Sequence, residues 1–321
     1  LELELELELE LELALELELE LELELELELE LQKRMVFPQV LRMKQWIKNL
    51  LLYAALIFAL KFNDLAMVIV ATKAFFAFCM LSSAGYLYND ARDKDADAAH
   101  PRKCKRPIAS GRLPLGAAYG EMVLLLAFGF GIAWSISPMF CLVAALYLAT
   151  TLSYTFYFKH HVILDVMFIS AGFLWRAAAG AVAIGVVISP WLLTCTAFLT
   201  LFIGFNKRRS ELGLMSGKGN ATRKNLMHYT PELLIEFQAI TTSGTVISYA
   251  LYTVLGSPSP WLLLTLPYVL YGIFRYIFLV NNLDEGEEPA DTLLRDLPLL
   301  ATVILYGVTV VGILFVTRIG V

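Results

Sequence analysis

The sequence predicts an all-α, polytopic membrane bundle of about nine transmembrane helices, with any chemistry at its cytoplasmic face. Three observations predict it. Of the 321 residues, 58% are hydrophobic and 17% charged, against about 45–50% and about 25% in ordinary soluble domains. From Lys33 onward the chain falls into apolar stretches near the ~20 residues that a ~30 Å bilayer core requires. The cations, finally, collect in alternate connections between those stretches.

Residues 1–32 stand apart from the rest. Over 1–31, Leu fills the odd positions and Glu the even ones, Ala14 excepted. Such alternation gives one apolar face only to a strand; a helix would spread Leu round every side and oppose Glu to Glu at i,i+4. It also lacks the uninterrupted apolar run of a secretory signal. The segment reads as a low-complexity extension outside the fold, leaving 33–321 as a single transmembrane domain. Without its 14 Glu, 16 acidic residues remain against 25 basic ones, so the body carries +9 although the whole chain is −5.

The apolar stretches run over 46–61, 65–88, 115–135, 138–158, 162–185, 189–205, 232–255, 260–281 and 298–317. Asn63-Asp64, Ser137-Pro138, Ser189-Pro190 and the run Gly256-Ser257-Pro258-Ser259-Pro260 supply helix-stop or turn chemistry between them. Twenty of the 25 cations fall before the first stretch or at its start (Lys48), or after the second, fourth, sixth and eighth. Lys61 and Arg318 lie on the other side, and Lys73, Arg176 and Arg275 lie within stretches. Positive charge marks the cytoplasmic side, which puts the N-terminus and the long polar connections there and the C-terminus outside. This is the pattern of a multi-pass protein of the cell (inner) membrane.

Several chemistries are excluded. Cys79, Cys104, Cys141 and Cys195 are scattered with no CxxC, so neither a disulfide framework nor a zinc site is supported. No phosphate-binding GxxxxGK[ST] loop and no GxSxG elbow occurs. A transporter would distribute polar residues along its spans or show inverted repeats, and neither pattern is present.

The most informative segment follows the second stretch: Tyr86-Leu-Tyr88-Asn89-Asp90-Ala-Arg92-Asp93-Lys-Asp95-Ala-Asp97. At ~100° per residue, Asp90, Asp93 and Asp97 fall within about 60° of one helix face, and Asp95 points roughly 140° away from Asp90. Three carboxylates on one face repel one another unless a cation sits among them. Oxygen ligands without Cys or His suit Mg²⁺, usually shared with substrate phosphates. A solvated charged helix end is the competing reading. The next segment, His100-Pro-Arg102-Lys103-Cys-Lys105-Arg106-Pro-Ile108-Ala-Ser-Gly111-Arg112, is a Pro/Gly-ordered loop with five cations, suited to phosphate oxygens.

The spacing Asn89-Asp90-x-x-Asp93-x-x-x-Asp97 after a second span resembles the UbiA-type intramembrane prenyltransferase superfamily. Further segments resemble its decaprenyl-phosphate phosphoribosyltransferase branch. These are Gln45-Trp46-Ile-Lys48-Asn49, His100-Pro-x-Lys103-x-x-Arg106-Pro107-Ile108-Ala109-x-Gly111, Tyr154 with Lys159-His160, and Lys207-Arg208-x-x-Glu211-Leu212. Arg275-Tyr276, Gly286-Glu-Glu288-Pro289 and Leu294-Arg295-Asp296 extend the likeness. The resemblance implies a helical bundle with a cytoplasm-facing active-site cavity that transfers 5-phosphoribose from phosphoribosyl pyrophosphate to a polyprenyl phosphate with Mg²⁺. The alternative within the superfamily is transfer of a prenyl group from its diphosphate to an aromatic or glycerol-phosphate acceptor. That chemistry usually goes with a second Asp-rich motif after the sixth span, where this chain has Lys207, Arg208, Arg209 and a single Glu211.

On that basis Asp90, Asp93 and Asp97, assisted by Asn89, are the expected metal ligands. Lys103, Arg106, Lys207 and Arg208 are the candidates for the donor's phosphates, and Glu211 for its ribose or the metal. Lys48, Tyr154 and Lys159 are candidates for the lipid phosphate, with topological roles competing. Asp165 and Arg176 are intramembrane charges; the resemblance implies cavity roles, and a structural pair with another span is the competing reading. No nucleic-acid partner is expected, and a homo-oligomer stays open.

Overall fold

The computed structural model describes residues 39–99, 103–215, 224–282 and 289–319; the Leu-Glu repeat, His100–Arg102 and Glu285–Glu288 lie outside the described residues. No β-strand occurs among the described residues. A 3₁₀ segment, Met43–Leu52, leads into α1 (Tyr53–Phe58), followed by α2 (Leu65–Arg92), the short α3 (Lys94–Ala98), α4 (Leu115–Ile136) and α5 (Pro138–Phe156). Then come α6 (Leu164–Ala183), α7 (Pro190–Met215), α8 (Pro231–Leu251) with a closing π-turn, α9 (Leu266–Asn282), α10 (Pro289–Arg295) and α11 (Leu297–Ile319). Two of the expected boundaries carry capping chemistry: Asp64 Oδ1 accepts from the Ala66 amide, and the Ser137 hydroxyl accepts from the Phe140 amide ahead of Pro138. Thr230, outside the expected set, likewise accepts from the Leu233 amide ahead of Pro231.

Every apolar stretch coincides with helical backbone, and six helical segments among the described residues are long and apolar enough to cross a membrane. They are α2, α4, α5, α6, α11 and the segment Pro260–Asn281 that contains most of α9. The chain is a multi-pass membrane protein. The other three stretches of the expected nine differ for local reasons. Helix α7 runs on through Asn206-Lys207-Arg208-Arg209, and α8 carries Glu232, Glu236 and Gln238 in its first turns, so neither is apolar throughout. The 46–61 stretch is mostly 3₁₀ rather than α.

The described chain packs as two compact units. The first comprises residues 39–43 and 86–121. Here the described part of the basic loop, 103–113, is held by its own backbone: Ser110 N–H donates to the Arg106 carbonyl, Leu113 N–H to that of Pro107, and Gly111 takes the left-handed φ of 77° that favours glycine. Ile108 and Leu113 are its buried apolar anchors.

The second unit comprises residues 44–85 and 122–319. Phe78 of α2 packs against Phe140 and Tyr147 of α5, with ring centroids 5.8 and 4.9 Å apart, at the centre of a cluster that includes Leu52, Ala133 and Ala179. Lipid supplies no hydrophobic drive between helices, so close approach and polar contacts hold them together. Gly204 of α7 leaves room for Val166 of α6, and Gly244 of α8 for the Phe198 ring. Arg209, Gln238 and Asn206 form a buried polar chain joining α7 to α8, with Arg209 donating to Gln238 at 2.8 Å and Gln238 to Asn206 at 3.0 Å.

The 3₁₀ segment follows from its own pattern. With ~3 residues per turn, Trp46, Asn49 and Leu52 line one edge. Trp46 Nε1 donates to Ser83 Oγ, and the Asn49 amide to Cys79 Sγ and Ser82 Oγ. Leu52 meets α6 at Gly180, where an added Cβ would stand 2.1 Å from the Leu52 carbonyl oxygen. Because the obstructing atom is backbone, Gly180→Ala is expected to destabilise the protein by at least the ~1–3 kcal/mol of an overpacked core. Thermal unfolding in detergent checks it. Gly131→Ala in α4, where nothing lies within 4 Å of the added methyl, should leave the transition unchanged or raise it; equal effects of the two substitutions would refute the contact.

Candidate functional site

The candidate residues fall into two polar clusters, one in each unit. The first forms where α2 gives way to α3. The amide of Asp93 donates to the Asn89 carbonyl at 2.9 Å and that of Asp97 to the Asp93 carbonyl at 2.8 Å, so the helical path continues across the break. The expected face results. Asp90 is 6% and Asp97 4% exposed, Asn89 and Asp93 are half-buried, and Asp95 is exposed.

Arginines hold these carboxylates. Arg106 Nη1 lies 3.0 Å from Asp90 Oδ1 and 2.5 Å from Asp97 Oδ2, and the Arg42 guanidinium donates through Nε and Nη2 to both Asp90 oxygens. Arg42 also stacks 5.1 Å over the Tyr86 ring, with a positive φ of 49°. Sequence reading counted Arg42 only as a topology charge; its 48-residue separation from Asp90 left no local signal. Among the described residues no three His, Cys, Asp or Glu side chains gather closely enough to hold a metal. The donor set nevertheless fits a hard divalent cation: it is all oxygen, and the acids at 90 and 97 already converge on one cationic nitrogen. Lys103 opens the short 3₁₀ turn that leads to Arg106.

The second cluster lies at the ends of α6 and α7. Asp165 is fully buried and Arg208 is 1% exposed. Arg208 Nε donates to Asp165 Oδ2 at 2.8 Å, and its Nη1 to Glu211 Oε2 at 2.5 Å. The Tyr229 hydroxyl donates to Asp165 Oδ1 at 2.9 Å and accepts the Ile163 amide at 2.7 Å. Ile163 holds a φ of 67°, uncommon for a β-branched residue. Burial above all, with the Asp165 carboxylate adding to it, pushes the Tyr229 phenol well above its ordinary pKa, so it remains a donor. Arg208 is thus committed to two carboxylates, while its half-buried neighbour Lys207 belongs to the same turn. Tyr154 ends α5 and lies close enough to act on the Arg208 charge; Lys159, in the following 3₁₀ turn, is 8% exposed. Lys48 is half-buried beside Asn49. Tyr229 had no sequence signal, being a tyrosine just before a Thr-Pro helix start.

Arg176 does not join Asp165. It donates to Asn49 Oδ1 at 2.7 Å, to the Gly172 carbonyl at 2.9 Å and to Tyr147 Oη at 2.9 Å, a buried cation held by neutral dipoles. Arg275 pairs with Asp296 at 2.7 Å, and that arginine holds the Asp296 carboxyl below its ordinary value. Asp296 also accepts the Leu299 amide at the start of α11. His160, His161 and His228 lie in short 3₁₀ turns or next to one.

Residues 50–294 match the UbiA prenyltransferase family. A protein of Corynebacterium glutamicum named decaprenyl-phosphate phosphoribosyltransferase is 39% identical over 268 residues, 80% of each chain. One of the same name from Mycolicibacterium smegmatis is 35% identical over 273 residues, covering 80% of this chain and 86% of that one. Among solved structures, a UbiA homolog from Archaeoglobus fulgidus bound to GPP and Mg²⁺ superposes with a TM-score of 0.65 at 19% identity, covering 88% of this chain and 99% of that one.

Proposed function

The chain belongs to the UbiA prenyltransferase family, and on that premise we propose that it is a polyprenyl-phosphate phosphoribosyltransferase. It moves 5-phosphoribose from phosphoribosyl pyrophosphate to a decaprenyl-like phosphate and releases pyrophosphate. The identity to the corynebacterial decaprenyl-phosphate phosphoribosyltransferase, 39% over four-fifths of both chains, carries this reading.

A lipid phosphate oxygen attacks C1 of the ribose as the bond from C1 to the pyrophosphate oxygen breaks. The nucleophile is already anionic, so no general base is needed. That agrees with a site whose side chains are acids and cations rather than a His–carboxylate pair. Asp90, Asp93 and Asp97, with Asn89, would hold Mg²⁺, which when bound offsets the charge that develops on departing pyrophosphate. Arg106 and Lys103 would bind diphosphate oxygens on the cytoplasmic side, Arg106 exchanging its contacts with Asp90 and Asp97 for them. Lys207 binds the 5-phosphate end of the donor. Arg208 acts through Glu211, aiming its carboxylate at the ribose hydroxyls. Lys48, Tyr154 and Lys159 receive the lipid phosphate. Positioning and fixed charge supply the rate.

The test uses purified protein, Mg²⁺, a polyprenyl phosphate and radiolabelled phosphoribosyl pyrophosphate. Label is expected in the organic phase only when the lipid phosphate is present. Label that stays aqueous, while a prenyl diphosphate is consumed with an aromatic or glycerol-phosphate acceptor, would return the chain to the family's prenyl-transfer chemistry.

A further inference from the structure

Three cations lie within the apolar stretches, and two are accounted for. Arg176 is held by Asn49, Gly172 and Tyr147, and Arg275 by Asp296. The third, Lys73 of α2, is exposed, and no hydrogen bond or ion pair joins it to another described residue. Ionisable groups at membrane depth are costly, and those that persist usually meet a counter-charge.

Lys73 lines a groove of about 440 Å³ between α2 and α4, a volume in the range of small-molecule sites. The remaining lining is apolar or already bonded. Ile69, Phe76 and Ile132 supply hydrocarbon. The Thr72 hydroxyl donates to the Val68 carbonyl and that of Ser135 to the Ile132 carbonyl, so neither is left to donate to a ligand. The groove therefore presents one positive charge on an otherwise apolar wall. Its complement has one anionic head and an apolar tail.

The position fixes the depth. Lys73 is eight residues into α2, about 12 Å along the axis from Leu65. An aliphatic stem snorkelling toward that end carries the ammonium to the headgroup side of the hydrocarbon. This is the end of α2 opposite Asp90. A second copy of the chain docked groove to groove about a two-fold axis would bring Lys73 against Lys73, which like-charge repulsion disfavours.

We propose that this groove binds an anionic glycerophospholipid, with an acyl chain along Ile69, Phe76 and Ile132 and its phosphate on the Lys73 ammonium. The lipid belongs to the leaflet opposite the acidic cluster and takes no part in group transfer. The site is independent of the transferase reading.

The experiment places the full chain in nanodiscs of phosphatidylcholine with a minor fraction of phosphatidylglycerol and counts retained lipids by native mass spectrometry. Wild type should keep one phosphatidylglycerol per chain. Lys73→Gln should lower that occupancy about five-fold, the effect of one lysine charge at a membrane surface, and Lys73→Arg should restore it. Ile132→Trp, which fills the groove and spares the cation, should lower it as well. Because Lys73 is exposed, Lys73→Gln and Lys73→Arg should unfold at the wild-type temperature in pure phosphatidylcholine. Equal phosphatidylglycerol retention by wild type and Lys73→Gln would overturn the proposal. So would phosphatidylcholine held as tightly as phosphatidylglycerol, or a disulfide dimer formed through Phe76→Cys.

Discussion

Asp165→Ala is expected to destabilise the protein by about 3–5 kcal/mol, the range for breaking a buried ion pair from one side. Arg208, 1% exposed, keeps its charge with Glu211 as its remaining acidic partner, since an arginine cannot shed its proton. The Tyr229 hydroxyl loses its acceptor at the same time, and the left-handed Ile163 loses the support of a fixed phenol. At ~2–4 °C per kcal/mol, the unfolding midpoint in detergent should fall by about 6 °C or more. Asp165→Asn keeps an acceptor for Tyr229 without the charge and should fall between wild type and Asp165→Ala. A midpoint for Asp165→Ala within about 2 °C of wild type would mean that the pair contributes little and that water reaches Arg208.

Asp90→Asn should reduce label transfer by about 10²–10³, the usual loss when one preorganised charge-stabilising group is removed. The substitution removes a buried carboxylate and leaves Arg42 and Arg106 without their shared anion. Asp97→Asn should behave alike. Asp95→Asn is the internal control, because Asp95 is five residues from Asp90, exposed, and on the other side of the helix. Initial rates across a Mg²⁺ titration separate the two roles of Asp90. A lost ligand raises the Mg²⁺ needed for half-maximal rate, whereas a disturbed helix lowers the unfolding midpoint. If Asp90→Asn and Asp95→Asn transferred label at the same rate, the acidic face would not be the metal site.

Local pattern made the acidic face readable. The i, i+3, i+7 spacing placed Asp90, Asp93 and Asp97 on one face and Asp95 off it; Asp90 and Asp97 are buried, Asp93 is half-buried and Asp95 is exposed. The helix starts at Ser137-Pro138 and Thr230-Pro231 rest on equally local chemistry. Partners of buried charges were not readable, because they are set by packing rather than by spacing. Arg42 reaches Asp90 over 48 residues, Arg208 reaches Asp165 over 43, and Arg176 reaches Asn49 over 127. For Asp165 and Arg176 the sequence offered cavity roles or a structural pair with another span, without naming the partner. The structure gives the acid to Arg208 and the cation to an amide, a carbonyl and a phenol. Hydropathy likewise located the first stretch but not its 3₁₀ winding, which shows only in the triplet Trp46, Asn49 and Leu52.

The neutral cradle around Arg176 also bears on how the chain is made. Asn49 enters the bilayer early, yet the guanidinium that satisfies its carbonyl is 127 residues downstream. At ~5–20 residues per second of synthesis, the ribosome takes about 6–25 s to cover that distance. For that interval the Asn49 amide has the Cys79 thiol, 30 residues on, as its nearest native partner. The first stretch thus reaches its final seat only after α6 has been translated and inserted, and the N-terminal segment is among the last parts of the bundle to lock.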